Sequence, residues 1–331
     1  MTTIRARAWC RADLAGGTLD IWPLGLLHDG ARTINVALDL AATVTLRRRR
    51  RGYVVSQGDQ RLEAGDLAQL AAHEDARLAA VFAAELGLPP VSIELASASP
   101  RGAGLGASSA LAIALLAAGE ALNGRPPASA DQRAVVARDL EARMMGLPTG
   151  VQDHYPALYG GALAIAYRPG TPAVRRLAVD LEALAASLLI AYSGQSHFSA
   201  GSNWQVVRRR LDGEPEVVAH LEGIAGAAAD LEGALEAGDL ERAGALMSRE
   251  WHHRRQLAPG VSTPAVEELL RRAAAAGAWG GKVCGAGGGG SIAVLCPPAR
   301  RDAVASALVA AGGRLLDARP AAEPLAVEVT S

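Results

Sequence analysis

The stretch Pro100-Arg-Gly-Ala-Gly-Leu-Gly-Ala-Ser-Ser-Ala110 limits what this chain can become more than any other. Before it, Val91, Ile93 and Leu95 alternate with Ser92, Glu94 and Ala96, the period of a half-buried strand. After it, an apolar run predicts a helix from about residue 107 to 122, closed by Asn123-Gly124. A glycine-rich turn between strand and helix lets the backbone approach a bound group closely. The helix start adds unpaired N–H groups and the positive end of its dipole, which together make a cradle for an anion such as phosphate. Ser108 and Ser109 contribute hydroxyls, one of which can ligate a Mg²⁺ ion. The motif is neither a Walker loop nor a dinucleotide fingerprint, and taken alone a plain glycine-rich connection accounts for it equally well.

Composition narrows the setting. The 331 residues, 50% hydrophobic and 20% charged, suffice for about two domains. Thirty-three basic residues against 34 acidic leave a formal net charge of −1, so no overall field draws the chain to nucleic acid or an anionic membrane. Three widely spaced cysteines, Cys10, Cys284 and Cys296, exclude a disulfide framework and a clustered thiolate zinc site. The start Met-Thr-Thr-Ile lacks a signal-peptide pattern and the longest apolar run, Ala110 to Gly119, is too short to span a bilayer, so a cytoplasmic location is expected. Lys282 is the one lysine among 33 basic residues, and with abundant alanine this reads as the mark of a GC-rich genome. The run Arg47 to Arg51 lies between apolar Ile34 to Leu46 and Tyr53-Val-Val, so it reads as a solvated strand or hairpin, without the aromatics a nucleic-acid arm would use.

Periodicity predicts strands over 34–46, 91–99, 162–167, 188–192 and 292–296, and helices over 64–86, 129–145, 204–257, 263–277 and 300–311. The order is that of an α+β protein in two mixed layers, with a boundary in the 170–185 neighbourhood. A second glycine loop, Gly281-Lys-Val-Cys-Gly-Ala-Gly-Gly-Gly-Gly-Ser291, runs into a buried strand. Four consecutive glycines weaken any regular element, so close approach by another group explains them better than a flexible hairpin. Near the start, Arg11-Ala-Asp-Leu-Ala-Gly-Gly-Thr-Leu-Asp20 gathers a cation and carboxylates around a tight turn. In the middle, Gly150-Val-Gln-Asp-His-Tyr155 places Asp153 just ahead of Tyr159-Gly-Gly161, with Glu141 near the preceding helix end. His154, His197, His252 and His253 lack metal-ligand spacing, because adjacent residues on a helix do not share a face, and solvated or locally bonded rings are expected.

These four segments, in this order, resemble the GHMP kinase superfamily, and most closely its bacterial D-glycero-D-manno-heptose 7-phosphate kinase branch. The resemblance runs through Arg11-Ala-Asp-Leu-Ala-Gly-Gly17, Asn35 in Thr33-Ile-Asn-Val-Ala-Leu-Asp-Leu40, Gly104-Leu-Gly-Ala-Ser-Ser-Ala110 and Gln152-Asp-His-Tyr155. It continues through Trp251-His-His-Arg-Arg255, Pro259-Gly-Val-Ser262, Gly280-Gly-Lys282 and Gly285-Ala-Gly-Gly-Gly-Gly290. It implies a ribosomal protein S5 domain 2-like N-terminal domain over 1–175 and a ferredoxin-like C-terminal domain over 176–331. It further implies an ATP- and Mg²⁺-dependent kinase acting on a small molecule, as a monomer or homodimer without nucleic-acid or membrane partners. The implied acceptor is a sugar hydroxyl, foremost the anomeric one of a heptose 7-phosphate. Another sugar such as fucose or an uronic acid, or a non-sugar alcohol, is the alternative, with mevalonate disfavoured by Arg11 and Asp20.

By the same resemblance, Pro100, Gly102, Ala103, Gly104, Leu105, Gly106, Ala107, Ser108 and Ser109 wrap the ATP triphosphate, with Ser108 and Glu141 as Mg²⁺ ligands. Asp153 is implied as the carboxylate beside the acceptor hydroxyl and Arg11 as its basic partner, while Asp20, Gly17, Gly287 and Gly288 face the substrate. His197, in Ser193-Gly-Gln-Ser-His-Phe-Ser199, falls in a substrate-adjacent loop. One departure stands out: the chain reads Gly16-Gly-Thr-Leu-Asp20 followed by Ile21-Trp-Pro-Leu24, so Leu19 and Trp22 are expected to reshape the acceptor pocket. Two rivals remain, a catalytically silent ligand sensor on the same fold and a nucleic-acid module of S5-like topology. The first expects damage at Ser108, Glu141, Asp153 or Arg11, and the second an excess of basic charge; neither is present.

Overall fold

The computed structural model describes residues 2–195 and 200–330, so His197 falls outside the described residues. Among these, twelve strands follow in chain order: β1 (Thr3–Ala15), β2 (Arg32–Arg48), β3 (Tyr53–Gln57), β4 (Gln60–Ala64), β5 (Val91–Ser97), β6 (Ala162–Ala166), β7 (Ala173–Arg176), β8 (Leu188–Tyr192), β9 (Gly280–Val283), β10 (Ser291–Leu295), β11 (Arg314–Leu316) and β12 (Ala326–Thr330). One sheet runs β12-β1-β2-β5-β3-β4, with β6 pairing β2 and β7 pairing β6. The other runs β11-β8-β10-β9. Helices cover both, so the α+β expectation holds, and no helix among the described residues is long and apolar enough to cross a membrane.

β1 is an element that the sequence reading treats only as a turn. Its first half alternates cleanly: Ile4, Ala6 and Ala8 are buried while Arg5 and Arg7 are exposed. Those apolar residues join the core beneath the helix Ala107–Leu122, with Ile113 and Leu115. Between Trp9 and Cys10 the pairing with β2 slips, so that Trp9 faces Ala41 and Cys10 faces Leu38. From there Cys10, Ala12 and Leu14 belong to a second core with Leu188 and Ile190 of β8 and Leu231 and Leu246 of the helices Pro215–Glu236 and Leu240–Arg254. Arg11 and Asp13 thus sit on a strand, and the tight turn starts only at Gly16.

Two expected helices are divided. The span 64–86 is β4's end, then Leu67–Ala71 and Glu74–Glu85, because Asp66 caps a first short helix and the chain restarts after extended His73. The span 204–257 is Ala200–Leu211, Pro215–Glu236 and Leu240–Arg254. Pro215 opens the second, and Asp239 caps the third by accepting from the Arg242 amide at 2.9 Å. The Arg47 to Arg51 run is the exposed end of β2 and the bend after it, a solvated strand end as expected; it opens no hairpin, because β5 lies between β2 and β3 in the sheet.

Four buried charges connect the layers. Lys282 of β9 has no exposed surface, and its Nζ lies 3.0 Å from Asp13 Oδ1 of β1 and 2.9 Å from Glu250 Oε1 of the helix Leu240–Arg254. Arg254, one turn further along that helix, reaches Glu250 Oε1 at 3.4 Å and Asp13 Oδ2 at 3.5 Å, and donates to the Gly285 carbonyl at 2.6 Å. Burial alone would raise the Asp13 pKa, but Lys282, Arg254 and Arg11 outweigh it and hold the carboxyl below its ordinary value. Ions this deeply desolvated persist only as a complete set, since removing one partner strands the others. Lys282→Met is therefore expected to lose about 3–5 kcal/mol of unfolding free energy, read from urea midpoints. A loss under about 1 kcal/mol would show that the layers are held by other means.

Candidate active site

The phosphate-loop candidate sits where the sequence predicts, between β5 and the helix Ala107–Leu122. Gly106 is the residue before that helix and adopts φ 72°, which lets the chain turn sharply into it. The first intrahelical bond runs from the Ala110 amide to the Gly106 carbonyl at 2.9 Å, so the amides of residues 107–109 have no acceptor one turn back and remain available to an anion. The second glycine loop lies directly against the first. A Cβ on Gly104 would stand 2.7 Å from the Cys284 carbonyl oxygen, and one on Gly285 would stand 2.8 Å from the Gly104 oxygen. The Ser291 amide donates to the Ala103 carbonyl at 2.8 Å. The two loops meet backbone to backbone, and together they border a cavity of about 450 Å³. Gln57, Asp75, Leu78 and Leu95 line it as well, none of which the sequence reading proposes as a site residue.

Arg11 and Asp153 meet under this loop. Arg11 Nε donates to Asp153 Oδ1 at 2.8 Å, Nη2 lies 2.6 Å from the same oxygen, and Nη1 donates to the Gly104 carbonyl at 2.6 Å. Burial by itself would lower the Arg11 pKa, but Asp153 and Asp13 outweigh it and hold the guanidinium more firmly protonated than usual. Asp153, at the start of the helix His154–Tyr159, keeps 26% of its side chain exposed while Arg11 keeps 3%, so the carboxylate is the accessible member. A Cβ on Gly106 would lie 3.2 Å from Asp153 Cβ, which places the loop immediately over the carboxylate.

Ser108 and Glu141 also meet. Ser108 Oγ donates to Glu141 Oε1 at 3.3 Å, and Ser109 Oγ lies 3.1 Å from both oxygens. Glu141 is buried on the helix Ala130–Met145, not on a solvated helix face. An octahedral Mg²⁺ with bonds near 2.1 Å holds adjacent ligands about 3.0 Å apart, so a hydroxyl and a carboxylate close to that separation suit it, with phosphate and water completing the shell. His154 is buried and locally bonded, the second of the two environments expected for it, with Nε2 2.8 Å from Glu141 Oε2 and Nδ1 3.2 Å from the Val151 carbonyl. Burial would depress its pKa, but Glu141 outweighs that and raises it.

Asp20 lies on the other side of Asp153. Its Oδ2 accepts from the Gln152 amide at 3.3 Å and its Oδ1 from Gln152 Nε2 at 3.2 Å. Asn35 Nδ2 in turn donates to the Gln152 carbonyl at 3.1 Å. Burial, and then the charge of Asp153, push the Asp20 pKa up to about 6. Gly17 packs against the charged set, since a Cβ there would stand 2.3 Å from both Arg254 Nη1 and Asp13 Oδ2. Gly287 borders the loop cavity, whereas the Gly288 amide donates to the Val261 carbonyl at 2.8 Å; neither is placed beside Asp20. Leu19 is fully buried in a core with Ile21 and Leu24, so it shapes the turn from behind and does not line a pocket. Trp22 is 68% exposed.

The chain matches two family descriptions, GHMP kinases N terminal domain over residues 74–161 and GHMP kinases C terminal over residues 231–314, together just over half of its length. No curated protein sequence matches it. Among solved structures it is similar to a D-glycero-D-manno-heptose 1-phosphate kinase from Bacteroides thetaiotaomicron, with TM-score 0.78, 21% identity and 98% of each chain covered. It is also similar to mevalonate kinase from Methanococcus jannaschii, with TM-score 0.76, 19% identity, and 96% of this chain and 98% of that one covered. Galactokinase from Lactococcus lactis, complexed with galactose, gives TM-score 0.76 and 14% identity over 98% of this chain and 95% of that one. At these identities the likeness is one of fold.

The raised Asp20 pKa has a thermodynamic signature. A carboxyl whose folded pKa exceeds its unfolded value contributes stability that is complete below the unfolded pKa, 3.8, and is lost as pH rises through about 6. The unfolding free energy of the native chain relative to Asp20→Asn should therefore fall by up to about 3 kcal/mol between pH 4 and 7. A difference that stays constant over that range would show that Asp20 titrates normally.

Proposed function

The chain belongs to the GHMP kinases, and on that footing we propose that it is an ATP-dependent kinase transferring the γ-phosphoryl group to a hydroxyl of a small acceptor, foremost a sugar. The observation that carries this reading is the Arg11–Asp153 pair beneath the phosphate loop, with Arg11 also bonded to the loop's own Gly104 carbonyl. Asp153 receives the acceptor's hydroxyl proton as that oxygen bonds to the γ-phosphorus, and the bond from phosphorus to the β–γ bridging oxygen breaks to release ADP. Arg11 holds the carboxylate in one orientation and sets positive charge beside the transferring group. The amides of 107–109 and the glycine backbone hold the triphosphate in line with the acceptor. Mg²⁺ held by Ser108 and Glu141 would neutralise phosphate charge.

The finer expectation, an anomeric hydroxyl of heptose 7-phosphate, rests on motif resemblance, and the structural relatives named above range over a sugar phosphate, a sugar and an alcohol. We also place the division between halves near residue 175, with β12 returned to the first sheet. A ligand sensor is the weaker reading, because Arg11, Ser108, Glu141 and Asp153 are all present and in contact in their two pairs.

The purified protein with ATP and Mg²⁺ is expected to release ADP on addition of its acceptor, from a panel of sugars with mevalonate and homoserine included. Asp153→Asn should lower kcat by about 10²–10⁴-fold while KM for ATP stays within a few-fold; a fully active variant would remove Asp153 from the chemistry. Ser108→Ala and Glu141→Ala should each need several-fold more Mg²⁺ for half-maximal rate, and unchanged metal titrations would move the ion elsewhere.

A further inference from the structure

The chemistry above gives no task to His154, the residue after Asp153, although its side chain is only 1% exposed. Both ring nitrogens face oxygen acceptors, Nδ1 the Val151 carbonyl at 3.2 Å and Nε2 the Glu141 Oε2 at 2.8 Å. An ionised carboxylate carries no hydrogen of its own, so the ring donates from Nε2, as the imidazolium and as the neutral Nε2–H form alike. The Val151 carbonyl also accepts the His154 amide at 3.3 Å, which anchors the ring's own backbone at the same point.

The two oxygens of Glu141 are held unequally. Oε1 meets only hydroxyls, Ser108 at 3.3 Å and Ser109 at 3.1 Å, and Ser108 lines the loop cavity. Oε2 meets Ser109 at 3.1 Å and the His154 ring at 2.8 Å. Ser109 has one hydroxyl hydrogen to share between both oxygens, and a hydroxyl can turn to another acceptor. The ring N–H has no such freedom, so Oε2 is the fastened oxygen and Oε1 the one that can change partners. Glu141 keeps 8% of its side chain exposed, so the carboxylate rather than the imidazole has surface to offer a bound ion. The helices His154–Tyr159 and Ala130–Met145 have another tie that leaves Glu141 out, Tyr155 Oη donating to Asp131 Oδ1 at 3.3 Å.

Resting on the kinase reading above, we propose that His154 is a positioning residue for the Mg²⁺ carboxylate: its Nε2–H fastens Glu141 Oε2 and leaves Oε1, beside Ser108, as the oxygen that takes the ion. A carboxylate free to turn about its last bond presents either oxygen, and ordering it on binding costs affinity; a donor on the outer oxygen removes that cost in advance. The effect passes entirely through Glu141, because the ring itself has almost no surface with which to touch nucleotide or acceptor.

The test compares His154→Gln, whose side-chain amide still donates, with His154→Leu and His154→Phe, which cannot; Tyr155→Phe cuts the other tie between the two helices and serves as the control. Calorimetric binding of a non-hydrolysable ATP analogue to the full chain, with Mg²⁺ titrated in, reads the ion apart from turnover. His154→Leu and His154→Phe should need about 10–100-fold more Mg²⁺ for half-maximal binding. His154→Gln should return to within a few-fold of the native chain, and Tyr155→Phe should leave the requirement where it was. In the ADP-release assay the loss in His154→Leu should be confined to the Mg²⁺ requirement, with kcat at saturating Mg²⁺ within a few-fold of native. An unchanged Mg²⁺ requirement in whichever of the Leu and Phe variants folds overturns the inference. So does an equal rise in His154→Gln or Tyr155→Phe, or a loss of kcat that excess Mg²⁺ does not recover. A native chain whose uptake of the analogue does not depend on Mg²⁺ overturns it as well. The expected metal shift in a chain that releases no ADP with any acceptor defeats the kinase reading and leaves the role of His154 standing.

Discussion

Lys282 is the point from which the rest of the site is held in place. A small ammonium with no exposed surface bridges a strand of one sheet and a helix packed on the other, and it does so from β9, the strand that leads into the second glycine loop. The ammonium is a compact point charge, while the guanidinium of Arg254 needs a planar space and finds it only at the loop's edge, against the Gly285 carbonyl. That difference gives a physical reason for one lysine to persist in a chain whose other 32 basic residues are arginine. Asp13, which the network holds ionised, is two positions along β1 from Arg11, so the same contacts that join the layers set the strand from which the Arg11 guanidinium projects toward Asp153.

The candidate phosphate loop is built differently, almost without side chains. The two glycine loops approach so closely that neither Gly104 nor Gly285 has room for a Cβ, and the main-chain bond from Ser291 to Ala103 ties them together. Such a surface offers amide dipoles without the conformational entropy of long polar side chains. The cluster around Asp20 instead uses carboxyl and amide side chains that brace one another, Asp20 against Gln152 and Gln152 against Asn35. Asp153 stands between the two regimes, under Gly106 on one side and within the field of Asp20 on the other.

What could be read from the chain alone follows the range of the interactions involved. The strand, loop and helix from 91 to 122 were legible because their signals are local: alternation, a glycine run and an apolar stretch. Arg11 with Asp153, and Ser108 with Glu141, were reachable only through motif order, since nothing in the spacing of residues 142 apart implies contact. The break at His73 and the β1 strand were within reach of periodicity, because Ile4, Ala6 and Ala8 alternate with arginines, yet the glycines that follow suggest a turn more strongly. The charged quartet was not legible. Composition marks Lys282 as singular, but burial of four ions depends on elements that lie far apart in sequence and meet only in the folded chain. Leu19 misled for a similar reason, since a bulky residue beside a site can as well support it from within the core.

The slip in β1 at Trp9 and Cys10 bears on how this molecule can move. One continuous strand contributes its first half to the core under the Ala107–Leu122 helix and its second half to the core shared with the other sheet. Two bodies that share a strand cannot swing apart about a hinge without breaking it, so a wide rotation of one half on the other is closed to this fold. Any enclosure of bound groups then falls to short loop segments, and the rate at which they leave would be set there rather than by the halves of the molecule.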